Sequence, residues 1–203
     1  TPARFESRFE YTVFGDGSLL IDSQIKPDDG LPPLPRLGLQ LSLPEGFEQI
    51  QWYGRGPHES YTDRKEGAPM GIYNGTVDQQ YVPYIMPQEN GNKTDVRWAA
   101  LRNRRGDGLL AVAETPMNIS AHHYTAQDFT LANHTYELER RPEILFNLDH
   151  AHSGLGSASV GPETLPQYQV PATETRFRIV FAPLSPKDRV HKLARRVIEA
   201  RFG

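Results

Sequence analysis

Hydrophobic and polar residues alternate along much of this chain, a pattern that places successive side chains on opposite faces of a strand. Two alternating stretches at the start flank the turn formers Gly15-Asp16-Gly17, so we predict that they pair as a hairpin. Their apolar positions are Phe5, Phe9, Tyr11, Leu19, Ile21 and Ile25. Leucine occupies every second position from Leu37 to Leu43, which predicts a half-buried strand.

Five later stretches rich in apolar residues also predict strands, because Gly, Pro and Asn or Asp separate them. They span residues 96–103, 109–114, 117–122, 144–148 and 176–181. The glycines of 103–108 suit a hairpin loop between the first two. Residues 67–80 combine many turn formers with weak periodicity, which predicts a long loop. Together these patterns predict an all-β meander.

Helical signals occur in two places. Thr125 and Asp128 have the spacing of a capping box at the start of one short helix. Ser185 and Asp188 have the same spacing, and apolar residues then recur every three or four positions. These residues are Val190, Leu193, Ala194, Val197 and Ile198. We predict an amphipathic C-terminal helix within 184–203 that packs its apolar stripe on its own domain.

Composition narrows the classes of partner. Of 203 residues, 37% are hydrophobic and 23% are charged, as in a soluble globular domain. No apolar stretch approaches the roughly 20 residues that cross a bilayer, so we expect no membrane partner. The formal net charge of −3 provides no overall basic field, which argues against nucleic acid. Only the C-terminal segment is cationic, with six Lys/Arg against two Asp/Glu.

The compartment is left open between cytoplasm and periplasm, because the chain contains no cysteine from which redox conditions could be inferred. The chain begins at Thr1 without methionine or an apolar leader, which suggests a fragment or a processed product.

Four Asn-x-Ser/Thr sequons start at Asn74, Asn92, Asn118 and Asn133. We favour turn chemistry over glycosylation as the reason for them, because Asn and Thr are common in turns of β proteins.

Glycine, proline and charged residues are concentrated between Trp52 and Arg64, where Gly-x-Gly-Pro predicts a tight corner. Glycoside hydrolysis needs two carboxyl groups across the bond, and the candidates beside such turns are Glu59, Asp63, Glu89 and Glu163. The alternative that we favour is structural. In it these carboxylates accept backbone N–H bonds, or Glu59 and Asp63 pair with arginines; the candidate arginines are Arg55, Arg64 and Arg97.

Metal binding is weakly indicated. His150 and His152 are spaced to share one strand face, and Asp149 and His122-His123 could add ligands. A third ligand at a diagnostic spacing is missing from the sequence, so we interpret these as ordinary hydrogen-bonded histidines and predict no metal site.

Three segments together resemble the C-terminal small-chain domain, or domain 5, of glycoside hydrolase family 2 β-galactosidases. They are the corner at 52–64, the run 83–91 with Arg97-Trp98, and the run 147–162 that contains Asn147-Leu148-Asp149, Gly154-Leu155-Gly156 and Gly161-Pro162. The resemblance implies an antiparallel two-sheet supersandwich like that of galactose mutarotase, spanning 1–183 with its first portion missing. The helix in 184–203 lies outside the family pattern.

The resemblance also implies that this chain holds no catalytic residue and no cofactor of its own. In the family, the catalytic glutamates and most magnesium and sodium ligands lie on an upstream TIM barrel, which would be this domain's partner. The parent enzyme would hydrolyse terminal non-reducing β-D-galactosides by a retaining double displacement. One small-chain loop reaches the sugar pocket, and its pocket-lining candidates here are His152, Ser157, Ser159, Val160 and Gly161. A tryptophan that stacks on the aglycone sugar in a bacterial member is replaced by other residues.

Two further classes stay open. A stand-alone sugar-handling sandwich would be a carbohydrate-binding module or a mutarotase-like epimerase, and an epimerase needs a His acid and a Glu base facing one pocket. A purely structural domain would assemble homo-oligomers, with the cationic helix at an interface.

Overall fold

The computed structural model describes residues 3–156, 161 and 163–203. Within them nine strands form: β1 Phe5–Val13, β2 Leu19–Pro27, β3 Arg36–Leu43, β4 Gln49–Arg55, β5 Met70–Thr76, β6 Lys93–Arg102, β7 Gly108–His122, β8 Ile144–His152 and β9 Thr175–Leu184. The helices are α1 Ala126–Leu131 and α2 Val190–Arg201, with single 3₁₀ turns at Asp78–Gln80, Thr135–Glu137 and Pro166–Tyr168. The predicted hairpin of β1 and β2, the leucine strand β3 and the capped helix α1 are confirmed.

All paired strands are antiparallel, in the order β1-β2-β9-β7-β6-β4-β5. The sheet branches at β7, whose residues 108–113 pair with β9 while residues 118–122 pair with β8, and β8 pairs in turn with β3. Both branches bury side chains in one apolar core, among them Trp52, Leu101, Ile119, Phe146 and Ile179. The all-β class predicted from alternation is therefore confirmed, as is the sandwich that the resemblance implied. The predicted meander was wrong, because β9 lies between β2 and β7 and β3 pairs with β8.

The prediction of separate strands at 109–114 and 117–122 was wrong, because both belong to β7. Glu114, Thr115 and Pro116 between them are exposed, and here β7 exchanges its partner β9 for β8. Proline lacks the N–H that a regular ladder needs, so it is tolerated where pairing is irregular. The polar interruption marks a change of partner rather than a turn.

The prediction of a loop throughout 67–80 was also wrong, because β5 lies within it and pairs with β4 along its length. Its alternation is inverted: Met70 and Ile72 are exposed, while Tyr73 is partly buried with its ring centroid 5.5 Å from that of Trp52. A Cβ on Gly71 would lie 3.0 Å from the Tyr73 ring, so glycine leaves room for the aromatic side chain. The sequence therefore lacked the usual inward apolar residues of a strand.

Helix α2 covers the other face of β6, β7 and β9 and forms a second core with them. Ala194 and Val197 of the helix pack in this core with Trp98, Leu110 and Val180. The predicted amphipathic helix is thus confirmed, but it begins at Val190.

The predicted cap residues close a turn just before α2. The backbone N–H and Oγ of Ser185 donate to Asp188 Oδ2 over 2.8 and 2.6 Å. Arg102 donates to the carbonyl oxygens of Ser185 and Asp188, which engages them outside a helical ladder. The capping-box residues therefore do pair, and the helix starts later than their spacing predicted.

Candidate functional site

His152, the first of the predicted pocket-lining residues, ends β8 and is buried. Its Nδ1 contacts the carbonyl oxygen of Ser153 at 2.7 Å, and its ring meets the Tyr61 ring edge-on with centroids 5.4 Å apart. Its Nε2 lies 3.6 Å from Glu89 Oε1. Gly161 is an exposed bend, and Ser157, Ser159 and Val160 lie outside the described residues.

His152 belongs to a set of polar side chains that we name the buried polar cluster. Its members are Arg36, Glu59, Tyr61, Arg64, Tyr84, Glu89, Asp149 and His152. Glu59, Tyr61, Asp149 and His152 are buried and give the cluster its name, while Arg64 is exposed and the others are partly buried. They come from the start of β3, the end of β8, the corner after β4 and the loop before β6. The three segments matched at the sequence level therefore meet in space, and the cluster brings their charged residues together.

Arg36 holds one half of the cluster. Its Nε and Nη2 donate to Asp149 Oδ2 over 3.1 and 2.5 Å, and its Nη1 donates to Glu89 Oε2 over 3.4 Å. Tyr61 donates its hydroxyl to the other oxygen of Glu89 over 3.3 Å. Gly38 lets β3 approach β8 here, because a Cβ at this position would lie 2.4 Å from Asp149 Cα. The register of the two strands also shifts between Leu37 and Gly38.

Glu59 holds the other half and is 8% exposed. Its Oε1 accepts from Arg64 Nη2 at 2.7 Å and from the Tyr84 hydroxyl, and its Oε2 accepts from the Gly91 backbone N–H at 2.7 Å. The predicted pairing of Glu59 with Arg64 is therefore present. The other candidate arginines are engaged elsewhere: Arg55 binds Asp95 and Arg97 lies over the Tyr53 ring.

Burial and ion pairing set the charges of the cluster. Burial raises the pKa of Glu89, but His152 and Arg36 outweigh it, so its pKa is below the ordinary value and the group is ionised. Burial raises the pKa of Asp149, and Arg36 offsets only part of this. Burial, with Glu89 and Glu59 nearby, raises the pKa of Tyr61 far above its usual value, so Tyr61 stays a neutral donor. The cluster thus sets two arginines against three carboxylates, with Tyr61 as an added neutral donor.

Asp63 connects the corner to the chain that follows β8. Its Oδ2 accepts from the backbone N–H of Gly156 at 2.7 Å. A Cβ on Gly154 would lie 2.6 Å from Asp63 Cγ, and Gly156 has φ +61°, a region that favours glycine. The corner thus fixes the backbone immediately before the predicted pocket-lining residues 157–161. The glycine spacing at 154 and 156 was the signal in the sequence, but its partner was not evident.

The structure also locates three other residues that the sequence offered as candidate ligands or carboxyl groups. His150 stacks on Phe177, with ring centroids 5.3 Å apart, and Glu163 is exposed. His122 is buried with its Nε2 2.9 Å from the carbonyl oxygen of Asn90, and burial lowers its pKa to about 4. Arg36 was not identified from the sequence, since nothing local to it indicates a distant carboxylate partner.

Two of the four sequon asparagines are buried. Asn92 donates to the carbonyl oxygen of Ser60 at 2.8 Å and to Asn118 Oδ1 at 3.3 Å. A glycan at Asn92 or Asn118 would have to displace this packing, which supports the structural interpretation for both. Asn74 and Asn133 are exposed.

Among the described residues, neither helix has the length and apolar character needed to cross a membrane.

The fold and the cluster define an all-β domain in which ion pairs hold the corner after β4, the loop before β6 and β8. Residues 1–181 match the family model described as β-galactosidase small chain, and the chain belongs to that family. The match ends before α2.

Curated relatives agree with the family assignment. The chain is 34% identical over 166 residues to a β-galactosidase of Priestia megaterium and 38% identical over 175 residues to one of Vibrio cholerae. A β-galactosidase of Vibrio vulnificus is 32% identical over 182 residues. These alignments cover 81%, 82% and 88% of this chain but only 16%, 16% and 17% of the relatives. The chain therefore spans about a sixth of their length.

Proposed function

We propose that this chain is a non-catalytic sandwich domain of a β-galactosidase that shapes the sugar pocket and packs against an upstream TIM barrel. The complete protein hydrolyses terminal non-reducing β-D-galactosides by a retaining double displacement, using carboxylates of the barrel. The observation that carries the proposal is the Asp63–Gly156 contact, because it couples the family's corner to the predicted pocket-lining residues.

The state of the carboxylates supports a non-catalytic role. A retaining glycosidase needs two carboxyl groups about 5 to 5.5 Å apart that reach the substrate, one as acid and one as nucleophile. In the cluster, Glu59 accepts three hydrogen bonds, while Glu89 and Asp149 share Arg36. Nor does the pair of His152 and Glu89 suit an epimerase, since the two groups lie 3.6 Å apart and Glu89 also accepts from Arg36 and Tyr61. These groups stabilise the domain instead of reacting.

Magnesium and sodium belong, in this proposal, to the barrel of the complete protein. The carboxylates of the buried polar cluster do not fit such an ion, because arginine, tyrosine or backbone N–H groups already satisfy them. We therefore assign the cluster no step that involves a metal ion.

Pocket shaping depends on small side chains. The predicted loop contains Ser157, Ser159, Val160 and Gly161 and no aromatic residue. A ring that stacks on a sugar contributes selectivity for that sugar. We therefore expect an aglycone preference that depends on the backbone position of this loop, which Asp63 sets, more than on stacking.

The test is aglycone selectivity in the complete protein. We expect Asp63→Asn to lower kcat/KM for a disaccharide substrate by about tenfold, because a misplaced substrate contact loses orientation. The same variant should change kcat/KM for an aryl galactoside with a good leaving group by less than about threefold. Val160→Trp should move the preference in the opposite direction by adding a stacking surface for the acceptor sugar.

The matched control is Asp107→Asn, an exposed aspartate in the β6–β7 hairpin, which should leave both substrates unaffected. Unchanged selectivity in both Asp63→Asn and Val160→Trp would refute the pocket-shaping role. Galactoside turnover by the 203-residue chain alone would instead refute its non-catalytic nature.

A further inference from the structure

A second group of charged side chains lies apart from the buried polar cluster, and we name it the Glu48 cluster: Glu48, Asp78, His123 and Arg140. Glu48 precedes β4, Asp78 starts a 3₁₀ turn and His123 follows the end of β7. One ligand atom from each of Glu48, Asp78 and His123 lies within 4.8 Å of the others. Three elements thus deliver two carboxylates and one imidazole to one place.

The orientation of His123 is fixed by bonds outside the cluster. Its Nδ1 lies 2.9 Å from the carbonyl oxygen of Arg141 and 3.1 Å from that of Glu143. Carbonyl oxygens only accept, so Nδ1 carries a proton and the neutral ring has its lone pair on Nε2. A backbone carbonyl on the far nitrogen is the usual way in which a metal-binding histidine is oriented. The side chain of His123 is 1% exposed, so this orientation is held by packing.

The contacts of His123 Nε2 conflict with one another. Glu48 Oε2, an acceptor, lies 2.9 Å away, and Arg140 Nη2, a donor, lies 2.8 Å away. A lone pair on Nε2 satisfies Arg140 and repels Glu48, whereas a proton satisfies Glu48 and repels Arg140. A cation between the three ligands would accept the lone pairs of His123 and both carboxylates at once. The Arg140 guanidinium also donates to Asp78. It supplies a positive charge to the two carboxylates, but it cannot accept the lone pairs of all three ligands as a metal ion does.

The ligand spacing suits zinc after small side-chain movements. With metal bonds of about 2.0 to 2.1 Å, neighbouring ligands in a tetrahedral site lie about 3.3 Å apart. Here His123 Nε2 lies 2.9 Å from Glu48 Oε2 and 3.9 Å from Asp78 Oδ1, values on either side of that distance. The Val77 backbone N–H donates to the Glu48 carbonyl oxygen at 2.9 Å, which ties two of the ligand segments together.

The carboxylate side of the site is also accessible, while His123 lies behind it in the core. Glu48, Asp78 and Arg140 line an open cavity of about 770 Å³, and the side chains of Asp78 and Arg140 are 60% and 41% exposed. Arg140 can therefore swing into solvent without breaking the core. We propose that Glu48, Asp78 and His123 bind a zinc ion, with water completing the tetrahedron, and that the Arg140 guanidinium competes with the metal for this position.

The test is isothermal titration calorimetry of the complete protein with zinc chloride, comparing wild type, Asp78→Asn, Arg140→Ala and the double variant. Asp78→Asn should weaken zinc binding by about tenfold or more, because it removes a ligand charge. Arg140→Ala should tighten the same binding by about tenfold, because it removes the competing cation. Zinc sites elsewhere in the protein contribute equally to all four titrations.

The altered side chains are 60% exposed at Asp78 and 41% exposed at Arg140 and lie outside the apolar cores, so we expect the variants to fold. His134→Gln, at an exposed histidine that contacts Glu137, is the matched control and should bind zinc like wild type. The proposal is overturned if Arg140→Ala binds zinc no more tightly than wild type, or if the double variant keeps the affinity of Arg140→Ala. A purely structural ion pair would give no gain from removing the arginine.

Discussion

The buried polar cluster and the Glu48 cluster use the same side-chain chemistry, arginine against carboxylate with a histidine beside them. They differ in contact with water. The side chain of Asp149 is 4% exposed where Arg36 binds it, whereas that of Asp78 is 60% exposed where Arg140 binds it. Both clusters link residues far apart in sequence, but the carboxylates of the second line an open cavity.

This difference in exposure separates a structural role from an exchangeable one. A buried ion pair is costly to break, because removing one partner leaves an uncompensated charge in a medium that solvates it poorly. An exposed pair contributes little, because water and salt replace the lost partner. We infer that Arg36 fixes the corner, the loop before β6 and β8 relative to one another, while Arg140 can yield its position to a metal ion.

The largest expected effect comes from Arg36. Arg36→Met leaves Asp149 buried without its cation and should lower the free energy of unfolding by about 3 to 5 kcal/mol. Urea denaturation that follows the unfolding of this domain measures the loss. It would appear as a lower midpoint with little change in slope.

A double variant separates charge from packing. Arg36→Met with Asp149→Leu replaces the pair by apolar groups and should recover at least half of the stability lost in Arg36→Met. If the double variant is as unstable as the sum of the two single variants, the ion pair does not couple these residues and the comparison fails.

The second effect concerns His122, beside the buried polar cluster, whose pKa burial lowers from 6.5 to about 4. Between these values the unfolded chain binds a proton that the folded chain does not, so stability falls as pH drops from 6.5 towards 4. The loss is at most about 3.5 kcal/mol. His122→Gln removes this titrating group and with it the pH-dependent loss of stability. The unfolding free energy of the variant should therefore decline less over this range, while titration of carboxylates is common to both proteins.

Parallel pH profiles for wild type and His122→Gln would show that the folded protein accommodates the imidazolium. That result would mean that His122, although buried, tolerates a change of charge, as we expect of the exposed side chains of the Glu48 cluster.

Much of the sandwich could be predicted from alternation, since a half-buried strand must present apolar residues at every second position. Residues 37–43 show this in β3. Strand β5 was missed because its inward positions are Gly71, Tyr73 and Gly75, and its apolar Ile72 points outward at the sheet edge. The start of α2 was displaced because the carbonyl oxygens before it bind Arg102, a residue more than 80 positions away.

The candidate site was predictable only in part. The pairing of Glu59 with Arg64 joins residues five positions apart within one motif, so local reasoning found it. The contact between Arg36 and Asp149 joins residues 113 positions apart, and that between Asp63 and Gly156 joins residues 93 apart. Such pairs depend on which strands lie side by side, and the alternation of apolar residues does not determine strand order.

The smallest effect is expected from Arg140, and it sharpens the comparison most directly. Arg140→Met, measured by the same urea denaturation with a chelator present, should change the free energy of unfolding by less than about 1 kcal/mol, because water can replace the guanidinium at Asp78 and Glu48. A loss above about 2 kcal/mol would mean that the arginine compensates the charge of Glu48 and satisfies the acceptor of His123 as a buried partner does. Exposure would then be the wrong criterion for separating the two clusters, whereas a small loss leaves Arg140 free to be displaced.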